Sequence, residues 1–311
     1  MRTLFIGHTY IDITFLTDRI PTGDEKYVAQ DYAVSFGGNA VTAAFCCANL
    51  AKDDKDDVKG GMAVDLIATH ADDWLGRMFL EMAERYDVRI HPRAVRESSL
   101  SFIMPNHGKR AIVRCRDDDY LEPYPQIDVR GLAGLHLDGH QPDAALRYAR
   151  LCREAGVLTS LDGGSVRHNT DEVLKYIDVA IVSERFCEQM NLSGAQMLDY
   201  LRKCGCRVGG VTRGEHGLLW YEDDSGDKVT PALAVPSDKV IDTSGAGDIF
   251  HGAYLWSCLS RPQESWSEHF KFASAASAFK VQKLGNEAGL PTQADIALMR
   301  QLFVESDARP A

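Results

Sequence analysis

Short runs rich in apolar and β-branched residues recur along the chain at Thr3–Gly7, Val64–Ala68, Gly134–Asp138, Val157–Asp162, Asp178–Ser183 and Arg207–Thr212. Spacers of roughly 15 residues or more separate them, enough for a crossover helix between parallel strands. The pattern predicts an α/β fold with a doubly wound, largely parallel sheet flanked by helices. Two segments break the rhythm. Residues 12–34 and 98–115 read as extended and hairpin-like, the second around the turn Asn106-His107-Gly108-Lys109, and together they predict a small sheet beside the main one. The charge run Asp53-Asp54-Lys55-Asp56-Asp57 reads as a solvated loop, and the polar stretch from Glu305 to Ala311 as a frayed end.

Composition narrows the class. The 311 residues are 45% hydrophobic and 25% charged, which sets the chain apart from disordered, collagenous and coiled-coil sequences. A net charge of −11 argues against a partner rich in phosphates, such as a nucleic acid. No window approaches the roughly 20 uninterrupted apolar residues of a membrane span, and a cytoplasmic protein is expected. The eight cysteines fall mostly in regular segments of a chain large enough to need no staples, so reduced, buried thiols are expected. Cys204 and Cys206 lack the second pair a zinc site would need, and the ten histidines show no metal-ligand spacing. His136, His140, His168 and His251 are read as structural or solvent-facing.

Two segments carry chemistry. In Asp242-Thr243-Ser244-Gly245-Ala246-Gly247-Asp248 the small residues let a ligand approach the backbone, and Ile249, Phe250, Ala253, Tyr254 and Trp256 continue with helical spacing. The free amides and dipole of that helix start favour an anion, with the Asp248 carboxylate beside it. A capping role for Asp248 is the alternative. In the second segment, Gly37-Gly38-Asn39 precedes a stripe of small residues at Ala40, Ala43, Ala44, Cys47, Ala48 and Ala51, the mark of a closely packed helix. Asn39 offers a donor and an acceptor to hydroxyl groups, although an ordinary turn explains the glycines equally well. No Gly-x-x-x-x-Gly-Lys-Ser/Thr element is present, which disfavours a P-loop enzyme.

Together these segments resemble the signatures of the ribokinase-like, pfkB family of carbohydrate kinases, and the resemblance runs nearly end to end. Gly7 and Asp12 match its first strand and sugar-binding aspartate. Thr212-Arg213-Gly214-Glu215-His216-Gly217 resembles its nucleotide-binding element, and Phe272 to Pro291 its closing helix and loop. The resemblance implies one kinase domain over residues 1–311, a lid formed by about 12–34 and 98–115, and a homodimer through that lid. It further implies ATP-dependent phosphorylation of a primary hydroxyl on a ketose, pentose or related sugar; a nucleoside kinase and a noncatalytic sugar-binding protein are the alternatives.

Roles follow position by position. Asp248 would be the base, with the amides of Gly245, Ala246 and Gly247 as the anion hole. Asp12, Lys26, Gly37, Gly38 and Asn39 would bind the sugar, and Glu184, Thr212, Gly214 and Gly217 the nucleotide with Mg²⁺. Asp242, with the loop around Gly285-Asn286, would bind a monovalent cation, K⁺, or else be a loop-stabilising acid. Lys26 otherwise faces solvent, and Arg114 and Arg116 either favour a charged substrate or are exposed edge-strand charges. The family's Asn-x-x-Glu element reads Ser183-Glu184-Arg185-Phe186 here, and its Val-Gly-Asp-Asp reads His70-Ala71-Asp72-Asp73. Pro21 to Ala29 and Ser183-Glu184 are similar to the sulfofructose-kinase-like branch of the family.

Overall fold

The computed structural model describes residues 1–52, 61–106 and 109–303. The Asp53–Asp57 run, the turn residues His107 and Gly108 and the tail from Glu305 lie outside the described residues. In chain order the strands are β1 (Arg2–Gly7), β2 (Tyr10–Leu16), β3 (Asp31–Gly37), β4 (Ala63–His70), β5 (Val88–Ala94), β6 (Ser99–Asn106), β7 (Lys109–Cys115), β8 (Leu132–Leu137), β9 (Leu158–Gly163), β10 (Val179–Ser183), β11 (Val208–Thr212), β12 (Leu218–Glu222) and β13 (Lys228–Thr230). The helices are α1 (Asn39–Lys52), α2 (Trp74–Arg85), α3 (Pro142–Glu154), α4 (Thr170–Leu174), α5 (Glu184–Met190), α6 (Gly194–Lys203), α7 (Ala246–Ser260), α8 (Trp266–Lys280) and α9 (Gln293–Leu302). None of the described helices is long and apolar enough to cross a membrane.

The main sheet runs β13-β12-β11-β10-β9-β8-β1-β4-β5, parallel from β5 to β11 and closed by the antiparallel β12 and β13. The six predicted core strands are β1, β4, β8, β9, β10 and β11. Their apolar runs are unbroken because helices cover both faces, giving one core around α1, α7 and α8 and another around α3 and α6. The sequence reading had no place for β5 or for the β12–β13 hairpin. β5 is an edge strand with Arg89, His91, Pro92 and Arg93 in seven residues, so no continuous apolar run marks it.

A second sheet, ordered β3-β2-β6-β7, is built from residues 10–37 and 99–115. Strand pairing stops at Leu16 and resumes at Asp31, so the extended reading of 12–34 holds only at its two ends. The turn at His70-Ala71-Asp72-Asp73 has a definite job. Asp73 caps α2 by accepting from Gly76 N (2.7 Å) and also accepts from Ser98 N and Oγ (2.9 and 2.7 Å), which fixes the root of β6. The small face of α1 packs closely on α7, where Cys46 Sγ lies 3.6 Å from the carbonyl oxygen of Ile249. Cys46 and Cys47 are fully buried, and all eight cysteines are free thiols.

Candidate active site

The parallel strands β8, β9, β10 and β11 end at one side of the sheet, where open α/β sheets place their ligands. Asp138 follows β8, Asp162 lies at the end of β9, Glu184 follows β10 and Thr212 closes β11. Above them lies the first turn of α7. Its entry residue Gly245 has φ 74°, and a Cβ there would sit 2.2 Å from Asn286 Oδ1. Only glycine tolerates both constraints. Nothing lies within 4 Å of the position a Cβ would take on Gly247, so this side of the helix start is open. Ala246 N reaches back to the Thr243 carbonyl at 3.4 Å, and the glycine amides on either side, at the positive end of the dipole, favour an anion there.

Asp248 lies half-buried in that first turn. Burial raises its carboxyl above the ordinary value, and the Asp162 charge raises it further, while Arg110 and Arg114 pull the other way. Asp162 is raised for the same leading reason, burial, opposed by the hydrogen bond it accepts from Asn39 Nδ2 at 3.0 Å. Asp138 stays ionised. Burial opposes its charge, but His140 (Nδ1 at 3.1 Å, backbone N at 3.0 Å) and Arg167 outweigh burial. Asp138 also accepts from Ala40 N at 3.2 Å, so two strand-end acids hold the first turn of α1. His251 of α7 is buried 3.6 Å from Asp162, and burial drops it to about 3, so it is neutral.

Asp12 on β2 is joined to this helix start through Asn286. Its Oδ2 accepts from Asn286 Nδ2 at 3.0 Å, and its buried Oδ1 has no protein partner. Burial pushes this carboxyl up to about 7, against the pull of the neighbouring Ser101 hydroxyl, the Arg114 charge and the Asn286 hydrogen bond. Gly37 must be small, because a Cβ would fall 2.3 Å from the Asp12 carboxylate; at Gly38 it would fall 2.0 Å from the carbonyl oxygen of His8. The lid lies over the site. Arg110 Nη1 donates to Thr243 Oγ1 at 3.2 Å, joining β7 to the loop before α7.

The structure thus places Asp12, Gly37, Gly38 and Asn39 near the helix start at Gly245, Ala246, Gly247 and Asp248, linked through Asn286 and Asp162. Lys26 is solvent-exposed between β2 and β3, with no hydrogen bond or ion pair among the described residues. On the other side Glu184 begins α5, and Ser183 pairs with Thr212, so Glu184, Thr212, Gly214 and Gly217 share one end of the sheet. Phe186 is buried in the core beside α6. Asp242 meets an arrangement different from the one expected for a metal ligand: its Oδ1 accepts from Ser244 N (2.8 Å), and its Oδ2 accepts from Gly285 N (3.1 Å) and from the ammonium of Lys280 (3.3 Å). Asp138, Asp162 and Lys280 were not singled out as site side chains in the sequence, and Asn286 only as part of the loop beside Asp242. The signal for the two aspartates was their position at the ends of predicted core strands.

The model of the pfkB family of carbohydrate kinases matches residues 2–293. The chain belongs to that family. Similar proteins include a ribokinase of Lactococcus lactis, 22% identical, with 96% of this chain and 97% of the relative covered. An ATP-dependent ribose-1-phosphate kinase of Halopiger xanaduensis is 25% identical, with 97% and 99% covered. Among solved structures, a putative ribokinase from Agrobacterium tumefaciens superposes with a TM-score of 0.83 at 22% identity, covering 96% of this chain and 97% of that one. The doubly wound sheet and its small companion are therefore the ribokinase fold. A pfkB carbohydrate kinase phosphorylates a sugar, and its companion sheet is the lid.

Proposed function

We propose that this kinase transfers the γ-phosphoryl group of ATP to a primary hydroxyl of a small sugar that carries an anionic group. The observation that carries the phosphoryl-transfer reading is the pairing of the open helix start at Gly245 and Gly247 with the Asp248 carboxylate, joined to Asp12 through Asn286. Asp248 takes the hydroxyl proton as the oxygen forms its bond to the γ-phosphorus. The bond from that phosphorus to the β–γ bridging oxygen breaks in line, and ADP leaves. The amides of Gly245, Ala246 and Gly247 hold the charge that develops on the moving group. Asp12 and Asn39 hold the sugar so that one hydroxyl reaches Asp248.

Mg²⁺, when bound, would neutralise charge on the phosphates of ATP. With Phe186 in the core, the start of α5 offers the exposed Glu184 carboxylate, which fits a cation that keeps most of its waters. Coupled ADP release over a panel of sugars tests the reading; no sugar-dependent release with any of them would end it.

The anionic group is argued from the lid's inner face. Asp12 pairs with Ser101, and Ser101 with Arg114, so Asp12, Ser101 and Arg114 stand in one row on the same face. Arg110 alternates onto that face from β7, whereas Arg116, just past the strand, is ion-paired with Asp118 at 2.8 Å. Arg114 stacks on the Tyr10 ring at 4.9 Å and makes no ion pair among the described residues. Arg167 lies in electrostatic reach of His8 and Asp138, with its Nε buried and unpartnered. Arg114 and Arg167, neither of them in an ion pair among the described residues of a chain of net charge −11, suit a phosphate, sulfonate or carboxylate on the substrate. The Halopiger relative is likewise a kinase of a sugar phosphate.

Arg114→Met and Arg167→Met are each expected to raise KM for the anionic sugar by about tenfold or more, the scale of one charge-assisted contact. KM for a neutral pentose or ketose should stay unchanged. Arms with sugar phosphates, sulfonates and sugar acids identify the anion. A parent that prefers the neutral sugar would remove this part of the proposal.

The opposite face of the lid is apolar. Phe15, Phe102 and Tyr32 cluster there with ring centroids 5.3 and 6.1 Å apart, and Tyr32 and Val113 remain 66% and 63% exposed. A second lid would cover that face, so light scattering is expected to give a homodimer, and Phe102→Glu with Val113→Glu a monomer. A parent that scatters as a monomer at micromolar concentration, with full activity, would exclude the dimer.

A further inference from the structure

Lys280 ends α8 with its side chain fully buried. Its ammonium has three oxygen acceptors: the Asp242 carbonyl at 3.2 Å, Asp242 Oδ2 at 3.3 Å and the Lys283 carbonyl at 3.4 Å. Three N–H donors meet three oxygens, two of them from one residue. The route of the side chain is built into the fold, because a Cβ on Gly289 would lie 2.0 Å from Lys280 Cδ and 2.9 Å from its Cε. Asp242 in turn accepts from the amides of Ser244 and Gly285, so one carboxylate fixes both the loop that forms the anion hole and the loop that carries Asn286. Asn286 Nδ2 reaches Asp12.

The family resemblance calls for a monovalent cation against Asp242 and this same second loop. The residues present do not fit one. The Asp242 carbonyl, its carboxylate and the Lys283 carbonyl are the oxygens such an ion would use, and a covalently tethered ammonium of the same charge already engages them. An added cation would have to displace Lys280 into the apolar packing beneath it and leave one buried charge too many.

Resting on the kinase reading, we infer that the Lys280 ammonium takes the place of a dissociable monovalent cation, so that this kinase works without K⁺, and that Lys280 is a positioning residue for the anion hole. It acts through Asp242, which sets the amides at 244–247, and touches neither ATP nor sugar.

The test uses the full chain. Sugar-dependent ADP release and melting temperature are measured with K⁺, NH₄⁺ or tetramethylammonium as the sole monovalent cation at equal ionic strength. For the parent, both should agree among the three within about twofold in rate, since the site's charge is already supplied. Lys280→Ala removes the ammonium and opens the space. Its kcat is expected to fall about 10²-fold or more in tetramethylammonium, as for a displaced oxyanion hole. K⁺ or NH₄⁺ should restore much of that loss and raise the melting temperature by binding the folded state. Lys280→Met fills the space with an apolar chain and should be recovered by neither ion.

A parent stimulated severalfold by K⁺ would overturn the inference, and this comparison needs no variant. A folded Lys280→Ala with parental kcat, or one that neither ion rescues or stabilises, would overturn the positioning role. A chain with no sugar-dependent release under any cation would defeat the kinase reading instead. The melting curves would still report whether K⁺ enters the space left by Lys280.

Discussion

Asp248→Asn is expected to lower sugar-dependent ADP release by about 10²- to 10⁴-fold, the range for loss of a positioned general base. Nucleotide affinity should stay close to parental, because the amides at 245–247 remain and Asn still fits the first turn of α7. The stability consequence has a definite sign. The Asp248 carboxyl is raised in the folded state above its ordinary 3.8, chiefly by burial and then by the Asp162 charge. Between 3.8 and the raised value the folded state binds the extra proton, so stability falls as pH rises through that window and stays reduced above it. Asn mimics the neutral acid. The variant should therefore melt at or above the parental temperature at pH 8, with the difference fading in mild acid. Parental kcat should show the same group as an acid limb, falling as pH drops through the raised value. Retention of more than about a tenth of the parental rate would contradict the assignment, since that loss lies below the range for a base.

A variant that is catalytically dead yet thermally improved separates a working carboxylate from a capping one. A cap such as Asp73 accepts backbone amides and loses stability when removed. No backbone amide donates to the Asp248 side chain among the described residues. Its position in the first turn is favourable to the helix dipole, but its neighbours Asp162 and Asp138 disfavour its charge. Strain of that electrostatic kind is what a base near neutral pH requires.

The parts of this site that were legible in the sequence are those where backbone geometry does the chemistry. An anion hole made of amides needs small residues at fixed spacing beside a helix start, and Gly245-Ala246-Gly247 announces that locally. Gly37 and Gly38 were legible for the same reason, since a Cβ at either would collide with Asp12 or His8. Asp138 and Asp162 were harder to find, because each sits in an otherwise ordinary strand ending. Their role follows from the order of the strands, which brings the ends of β8 and β9 beneath α7.

Lys280 was hidden for a different reason. A lysine at the last turn of a helix normally faces solvent and complements the dipole, and only the missing side chain of Gly289, nine residues on, lets this one turn inward. The departure at Phe186 also changes meaning once the fold is known. Its ring packs in the core, so the altered motif places an apolar anchor where the family's Asn-x-x-Glu element has its acid. Most of the main sheet was readable from its buried strands, whereas β5 and β13 are edge strands of mixed polarity, and the short buried run of β12, Leu218-Leu219-Trp220-Tyr221, was passed over.

Asp12→Ala is expected to lower kcat/KM for the sugar by about 10²- to 10³-fold, mostly through KM, the scale of losing two hydrogen bonds to a charged acceptor. Oδ1 of Asp12 is buried without a protein partner, and Oδ2 takes one donor from Asn286. Free acceptor capacity of that kind, enclosed by the lid, suits a pair of sugar hydroxyls. Asp12→Asn keeps one carbonyl acceptor and should fall between Ala and the parent. ATP affinity measured without sugar should not change, because Asp12 lies on the lid, away from Thr212 and Gly214 at the end of β11. The carboxyl stands at about 7 in the fold against an ordinary 3.8, so its ionised form costs stability as pH rises across that interval. Asp12→Asn should accordingly gain melting temperature at pH 8 and lose that gain in mild acid. A sugar hydroxyl donates best to the ionised carboxylate, so parental KM should improve as pH rises past about 7. An Asp12→Ala enzyme with parental KM at pH 8 would remove Asp12 from the sugar site and leave it as a lid acid bonded to Asn286.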